Sequence, residues 1–356
     1  MIQRKPWKDA FLLICLAYAL PAFAGLTEQL PPGMLNMASQ CIHSIYNADF
    51  KQAEQEARRL IKAHPDHPAG YFFFAVVLDV WMEHYQSTAK EEEFYRYCDL
   101  AIEKGEALLD ADRRDAWAEF FVGGADGYKG TYESRLGRWI TAFRYGWKGV
   151  STLTDLRKKC PEMKDIDYGI GCYEYWRSAM TRSLRWLPGV EDKREEGIRK
   201  LLDVNQNGLF TRFPAAAQLI SIYCNEKRYG DALSLSQQMI EKFPNSLVFY
   251  WGKGEALFGL GRFEEAEEVY AYLLARVEAE SYDNHYNAVI CHYWMAKIAL
   301  AMKNYTQCIA ECNRMMYYRL TQDVASRLGK HFDDSESIRK QAMAARARSA
   351  QSELMP

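Results

Sequence analysis

Residues 229–266 read YGDALSLSQQMIEKFPNSLVFYWGKGEALFGLGRFEEA, and one short pattern occurs at each end of this stretch. The pattern is an aromatic residue followed three places later by alanine. It occurs as Tyr229-x-x-Ala232 and, 34 residues further on, as Phe263-x-x-Ala266. Pro244 follows Ala232 by twelve residues. A fixed period of this length is typical of a protein that is built from repeated structural units.

The same spacing recurs outside the central stretch. Phe50-x-x-Ala53 lies near the start of the chain, and Pro65 follows Ala53 by the same twelve residues. Tyr305-x-x-Cys308 repeats the pattern 42 residues after Phe263, with cysteine in the place of alanine. Distant segments of the chain therefore share one internal spacing.

The spacing has a physical meaning for a pair of helices joined by a tight turn. A small residue such as Ala232 or Ala266 lets the second helix approach the first, and the aromatic residue before it fills the turn. Proline ends the second helix because it has no N–H to donate and restricts the residue before it. One such pair cannot cover its own apolar faces, so we expect neighbouring pairs to stack into a continuous core.

At these residues the sequence resembles the tetratricopeptide repeat family. The best unit contains Tyr250, Gly254, Leu257, Gly261, Phe263, Ala266 and Tyr270, and it departs from the family pattern at Lys253 and in lacking a final proline. The clear match covers residues 213–274, with looser matches at 34–66 and 289–318. The resemblance implies an all-α fold, a right-handed α-solenoid of antiparallel helix pairs.

Three regions are predicted along the chain. Residues 1–24 form a signal peptide, residues 25–207 a divergent helical region that is similar to tetratricopeptide repeats but has long helices, and residues 208–356 the tetratricopeptide repeats and a C-terminal capping helix. The capping helix is predicted over Asp333–Arg348, where the chain is polar.

The first 24 residues carry the features of a secretory signal. Arg4, Lys5 and Lys8 precede an apolar run over residues 10–20, and small residues stand one and three places before a cut after Ala24. The run is too short for an ordinary membrane span. The sequence therefore predicts a cleaved product that is periplasmic or secreted, with no transmembrane segment.

The formal net charge of −2 offers no general attraction to nucleic acid or to anionic lipid. No Walker motif, nucleophile elbow or zinc-protease motif is present in the sequence. We therefore predict no catalysis, no cofactor and no metal. The alternative to this prediction is an enzyme whose site leaves no sequence motif.

Cysteines and glycines leave several interpretations open. Cys160 and Cys172 flank a predicted turn, and a disulfide between them is possible in an oxidising compartment. Cys308 and Cys312 read as small core residues; a metal site with Cys291 and His292, or a bridge from Cys291 to one of them, are the alternatives. Two glycine-lined faces are predicted to pack closely, one from Gly123, Gly127 and Gly130 and the other from Ala142, Gly146 and Gly149.

The function that we expect is the binding of a protein or peptide partner in a cell-envelope complex for assembly, transport or secretion. In the family, the first helices of the pairs line the binding surface, and the resemblance places five residues there: Trp251, Glu255, Phe258, Tyr293 and Lys297. The alternative is a periplasmic small-molecule binding protein, with an aromatic and arginine-rich pocket formed by Arg144, Tyr173, Trp176 and Arg177.

Overall fold

The computed structural model describes residues 30–184, 191–282 and 284–354. The predicted signal peptide, residues 1–24, lies outside this part of the chain. The described residues form fifteen α-helices and one short 3-10 helix, and they contain no β-strand. The helices are α1 Met34–Tyr46, α2 Phe50–Ala63, α3 Pro68–His84, α4 Glu91–Ala111, α5 Ala116–Arg135, α6 Trp139–Lys159, α7 Ile166–Met180, α8 Arg194–Asn207, α9 Arg212–Asn225, α10 Tyr229–Lys242, α11 Leu247–Gly259, α12 Phe263–Glu278, α13 Tyr286–Ala301, α14 Tyr305–Met315 and α15 Gln322–Leu354.

The chain forms two compact units. The first consists of residues 1–45, 49–79 and 91–215, of which the structure describes those from residue 30 onward, and the second of residues 46–48, 80–90 and 216–356. Consecutive helices contact one another from α4 to α8 in the first unit and from α10 to α15 in the second. The predicted all-α fold of stacked antiparallel helix pairs is therefore confirmed. The predicted domain boundary at residues 207 and 208 lies shortly before the point at which the first unit ends.

Five of the corners between helices share one backbone geometry and an aromatic residue at the start of the second helix. In each corner a single residue adopts positive φ: Ala48, Gly137, Lys227, Gly261 and Lys303. The N–H of the residue that follows donates to a carbonyl five residues back, as Arg262 does to Leu257 at 3.0 Å. This hydrogen bond and the left-handed residue define a Schellman ending of the first helix. The second helix then begins at an aromatic residue: Phe50, Trp139, Tyr229, Phe263 or Tyr305.

The small residues of the corner pattern lie at the contact between paired helices. The side chains of Ala53, Ala232, Ala266 and Cys308 are fully buried. Cys308 and Cys312 pack with Ala296, Ala299 and Ala342, so their interpretation as small core residues is confirmed. The close approach of the two helices in each pair depends on these short side chains.

The glycine-lined faces of α5 and α6 meet as predicted. A Cβ atom added to Gly130 would lie 2.7 Å from the backbone nitrogen of Gly146. A Cβ atom added to Gly149 would lie 2.7 Å from the backbone nitrogen of Gly127 and from the carbonyl oxygen of Gly123. The two backbones are therefore in direct contact, and the predicted packing role of these glycines is confirmed.

The core of the first unit is aromatic. The ring centroids of Trp117 and Phe210 lie 5.1 Å apart, and those of Phe72 and Phe121 lie 5.2 Å apart. Asp165, which is buried, fixes the chain just before α9 by accepting hydrogen bonds from the backbone N–H groups of Phe210 and Thr211 at 2.7 and 2.8 Å. Contacts between large aromatic rings therefore hold the long helices of this region together.

Two predictions about local structure need correction. The capping helix begins at Gln322, before the predicted Asp333, because Val324 and Leu328 supply apolar side chains that pack against Val289 and Met315. Cys160 and Cys172 are free thiols, so the predicted disulfide is absent from the structure. Cys160 lies near the carboxylates of Glu119 and Glu162 after the last turn of α6, whereas Cys172 is half-buried beside the Tyr168 hydroxyl in α7.

No helix in the described ranges is both long enough and apolar enough to span a bilayer. The same residues contain no group of three or more His, Cys, Asp or Glu side chains that could hold a metal ion. His292, which was considered as a ligand together with Cys291, is bound instead to Glu311 at 2.7 Å and to the Tyr318 hydroxyl at 3.1 Å.

Candidate functional site

The five residues that were predicted to form a binding surface lie on two first helices of the second unit. Trp251, Glu255 and Phe258 lie on α11, and Tyr293 and Lys297 lie on α13. Their spacings of three and four residues place each set on one face of its helix. All five side chains are half-buried, so each keeps part of its surface accessible to a partner.

Lys297 is the centre of the arrangement. Its Nζ atom lies 3.8 Å from the ring centroid of Trp294, 5.0 Å from that of Phe258 and 5.3 Å from that of Tyr293. An ammonium within about 6 Å of an aromatic centroid is attracted by the negative face of the ring. Three rings from two helices therefore surround one cation.

The rings also contact one another. Trp294 stacks on Tyr270 of α12 with centroids 5.3 Å apart and an interplanar angle of 7°, and Trp251 lies 6.0 Å from the same Tyr270 ring. Phe258 meets Trp294 edge to face at 5.3 Å. We call this set the Lys297 cluster; it consists of Trp251, Glu255, Phe258, Tyr270, Tyr293, Trp294 and Lys297.

Helix α15 borders the cluster. The hydroxyl of Tyr293 donates to Asp334 at 3.5 Å, and its ring meets the His331 ring edge to face at 5.1 Å. The Nδ1 atom of His331 is buried and has no hydrogen-bond partner in the described part of the chain. Burial also lowers the pKa of His331, so the neutral imidazole is the favoured form here.

The two charges of the cluster are partly removed from water. Burial raises the pKa of Glu255, and the positive charge of Lys297 opposes that shift. Burial lowers the pKa of Lys297, and the carboxylates of Glu255 and Asp334 oppose it. Charges that are poorly solvated and near aromatic rings gain more from a new polar contact than charges in water do. The arrangement is suited to binding a segment that carries both apolar and polar groups.

Sequence reasoning missed part of this cluster. Trp294 makes the closest contact to Lys297, yet it adjoins Tyr293 in sequence and so was not expected on the same surface. Tyr270 was recognised as a repeat residue but not as a neighbour of Trp251. His331 and Asp334 could be placed only by the position of α15. A spacing argument within single helices cannot find contacts made across four helices.

The residues of the alternative small-ligand pocket lie in the first unit. The guanidinium of Arg177 lies 5.7 Å from the Tyr173 ring on α7, and that of Arg144 lies 5.1 Å from the Tyr145 ring on α6. Trp176 packs edge to face on Tyr175 at 4.9 Å. The Tyr173 hydroxyl is buried and has no hydrogen-bond partner among the described residues. A pocket formed by all four residues stays a prediction.

The comparison with family models agrees with the repeat geometry of α10 to α12. The family model described as tetratricopeptide repeat matches residues 225–289, which includes the corner of α11 and α12 and most of the Lys297 cluster. No curated protein matches the chain. A crystal structure of a tetratricopeptide repeat protein from Parabacteroides merdae is 14% identical, covers 88% of this chain and 100% of its own, and superposes with a TM-score of 0.37.

Proposed function

We propose that this tetratricopeptide repeat protein binds a peptide segment of a protein partner through the Lys297 cluster. The observation that carries the proposal is the position of Lys297, whose ammonium lies 3.8 Å from the centroid of Trp294 between rings contributed by α11 and α13. Protein interfaces are enriched in aromatic residues, and few residues supply most of the binding energy. The family fold supports a scaffold role, since repeats of this kind commonly mediate protein–protein interaction.

The chemistry of the cluster indicates what the segment contains. Half-buried rings of Trp251 and Phe258 offer apolar contact, and the ammonium of Lys297 offers donors to a carboxylate or backbone carbonyl. Glu255 offers an acceptor to a backbone N–H. An extended peptide with an apolar side chain next to an acceptor group satisfies all three.

The second part of the proposal is export and a role in an envelope complex. Its support is the charge, apolar run and small residues of the first 24 residues. Mass spectrometry of the protein purified from whole cells tests this point. We expect an N-terminus at Gly25 in the envelope or secreted fraction. An intact Met1 in the cytosolic fraction contradicts it.

Photocrosslinking in cells tests the binding surface. A photoreactive phenylalanine analogue is placed at Trp251 or Phe258 within the cluster, and at Tyr317, which is 80% exposed and lies outside it, as a control. We expect one discrete crosslinked protein from the two cluster positions and none from position 317. The same product from all three positions would mean that contact is not specific to the cluster.

Charge-removing variants separate binding from folding. E255Q/K297M keeps the shape of both side chains and the net charge of the pair, so the core is preserved. R262M/E265Q is the matched control, because Arg262 and Glu265 form an ion pair at 2.6 Å on an exposed part of the same unit. We expect the crosslink at Trp251 to be lost in the first variant and kept in the second. Loss of the crosslink in both variants would indicate that removing any pair of opposite charges in this unit weakens binding.

A further inference from the structure

Helix α6 exposes an apolar stripe in the first unit. Trp139, Ile140, Phe143 and Trp147 are 54%, 90%, 60% and 54% exposed, although all four are large and apolar. Their spacing places them on one face of the helix, and the rings of Phe143 and Trp147 lie 6.3 Å apart with an interplanar angle of 18°. We call these four residues the α6 stripe.

The exposure of Trp139 is unlike that of the other corner aromatics. Trp139 begins α6 after the same left-handed corner that precedes Phe50, Tyr229, Phe263 and Tyr305. Those four residues are buried or half-buried, whereas Trp139 is exposed. The corner geometry therefore does not require the exposure of Trp139.

The exposed area is large enough for a specific interface. A fully exposed side chain of this size offers roughly 150–250 Å², so the exposed fractions amount to about 500 Å² of apolar surface. That is near the upper end of the largest apolar patch on an ordinary monomer, about 300–600 Å². Two such patches in contact remove about 1,000 Å² from water, which is where specific protein interfaces begin.

The charges beside the stripe argue against an anionic lipid surface. Arg138 is bound to Glu91 at 2.7 Å, and Lys148 is bound to Asp126 at 3.0 Å. Both cations are thus compensated by carboxylates of the same chain, one toward each end of the stripe. The exposed Arg144, which follows Phe143, lies over the Tyr145 ring at 5.1 Å. Membrane-surface helices instead direct uncompensated basic residues to the lipid headgroups.

The order of the aromatic residues is symmetric about Phe143. Trp139 lies four residues before it and Trp147 four residues after it, at about 6 Å along the helix axis in each direction. A two-fold axis through Phe143 therefore brings Trp139 of one copy against Trp147 of the other. An open depression beside Trp147 has a polar and charged lining that consists of Glu119, Lys148, Ser151, Thr152, Asp155, Lys158 and Lys159, so the apolar surface ends there.

From these observations we propose that the α6 stripe is the self-association surface of this protein. Two copies pack their α6 helices antiparallel about a two-fold axis at Phe143. An isologous interface of this kind requires a self-complementary surface, which the Trp–Phe–Trp order supplies.

Sedimentation equilibrium of the purified protein tests the proposal. We expect a concentration-dependent dimer for the wild type, and a dissociation constant at least tenfold higher for I140Q/F143Q. These substitutions are at exposed helix positions and glutamine is a good helix former, so the fold is retained. The matched control is M316Q/Y317Q, at two side chains that are 72% and 80% exposed in the second unit, and we expect it to leave the dimer unchanged. A wild type that stays monomeric, or a dimer that I140Q/F143Q does not weaken, overturns the proposal.

Cysteine crosslinking tests the antiparallel register. The wild type is the control for disulfide dimers that the native cysteines form. Under mild oxidation F143C should form a disulfide dimer. W139C or W147C alone should form none, but a mixture of the two should. Efficient dimers from W139C alone contradict the two-fold axis at Phe143.

Flotation with anionic vesicles is the final measurement. A monomeric wild type that binds the vesicles, together with an I140Q/F143Q variant that does not, would assign the stripe to a lipid surface and overturn the dimer.

Discussion

Gly130 and Gly146 bring α5 and α6 into backbone contact: a Cβ atom on Gly130 would lie 2.7 Å from the Gly146 nitrogen and 2.9 Å from its Cα. Backbone atoms of two helices cannot move apart locally as a flexible side chain can. This contact fixes the position of α6, and with it the exposed α6 stripe, relative to α5.

The glycine contact predicts opposite effects for two neighbouring substitutions. G130A should lower the free energy of unfolding by about 2 kcal/mol or more, because the added methyl group overpacks the contact. G127A places its methyl group where no atom lies within 4 Å, so it should raise stability by up to about 1 kcal/mol through helix propensity. Urea denaturation of both variants checks this. Equal destabilisation by the two would contradict direct contact between the helices.

The shared corner geometry predicts a second pair of opposite effects. Lys303 has φ of 60°, a conformation that is strained for a residue with a Cβ atom. K303G should therefore stabilise the protein by about 0.5–1 kcal/mol. Gly261 occupies the equivalent place with φ of 74°, and G261A should destabilise by about 1 kcal/mol. Thermal unfolding compares the two variants with the wild type. A lower melting temperature for K303G would mean that the lysine side chain contributes contacts that outweigh the strain.

Burial of His67 predicts a loss of stability in acid. Its Nδ1 accepts a hydrogen bond from the Ala69 N–H at 3.1 Å, and burial lowers its pKa from 6.5 to about 4. The unfolded chain therefore binds more protons between these pH values, and stability falls as the pH falls through that window. The loss attributable to His67 is about 3 kcal/mol, and it levels off once the pH is below the folded-state pKa.

H67N is the variant that isolates this effect. Asparagine keeps an acceptor for the Ala69 N–H but does not titrate, so its stability should fall less than that of the wild type between pH 6.5 and pH 4. Urea denaturation across this range gives the difference. Parallel curves for the two proteins would show that His67 is not protonated on unfolding in this window.

The sequence was sufficient for the repeat and its corners because these depend on local spacing. Ala232 and Ala266 could be assigned to the helix contact from their distance to the preceding aromatic residue, and both are fully buried. Gly130 and Gly146 could be paired because each lies on a glycine-lined helical face. In each case the residues of one helix, or of two helices adjacent in sequence, are sufficient to predict the contact.

Other features depend on which helices come together. Trp139-x-x-Ala142 has the corner spacing, but it lies between longer helices and off the 34-residue period, so it was not counted with the other four corners. The contact of Lys297 with Trp294 and Phe258 requires α11 and α13 to be neighbours at a known rotation. No pattern within one segment specifies that rotation.

The affinity of the partner segment identified by crosslinking is the most direct measure of the central claim. Calorimetric titration of that peptide into the wild type, E255Q/K297M and R262M/E265Q compares the three at one pH and salt concentration. The account predicts binding at least tenfold weaker for E255Q/K297M, with a melting temperature close to that of the wild type, and unchanged binding for R262M/E265Q. Equal affinity for all three proteins would show that the partner does not bind at the Lys297 cluster.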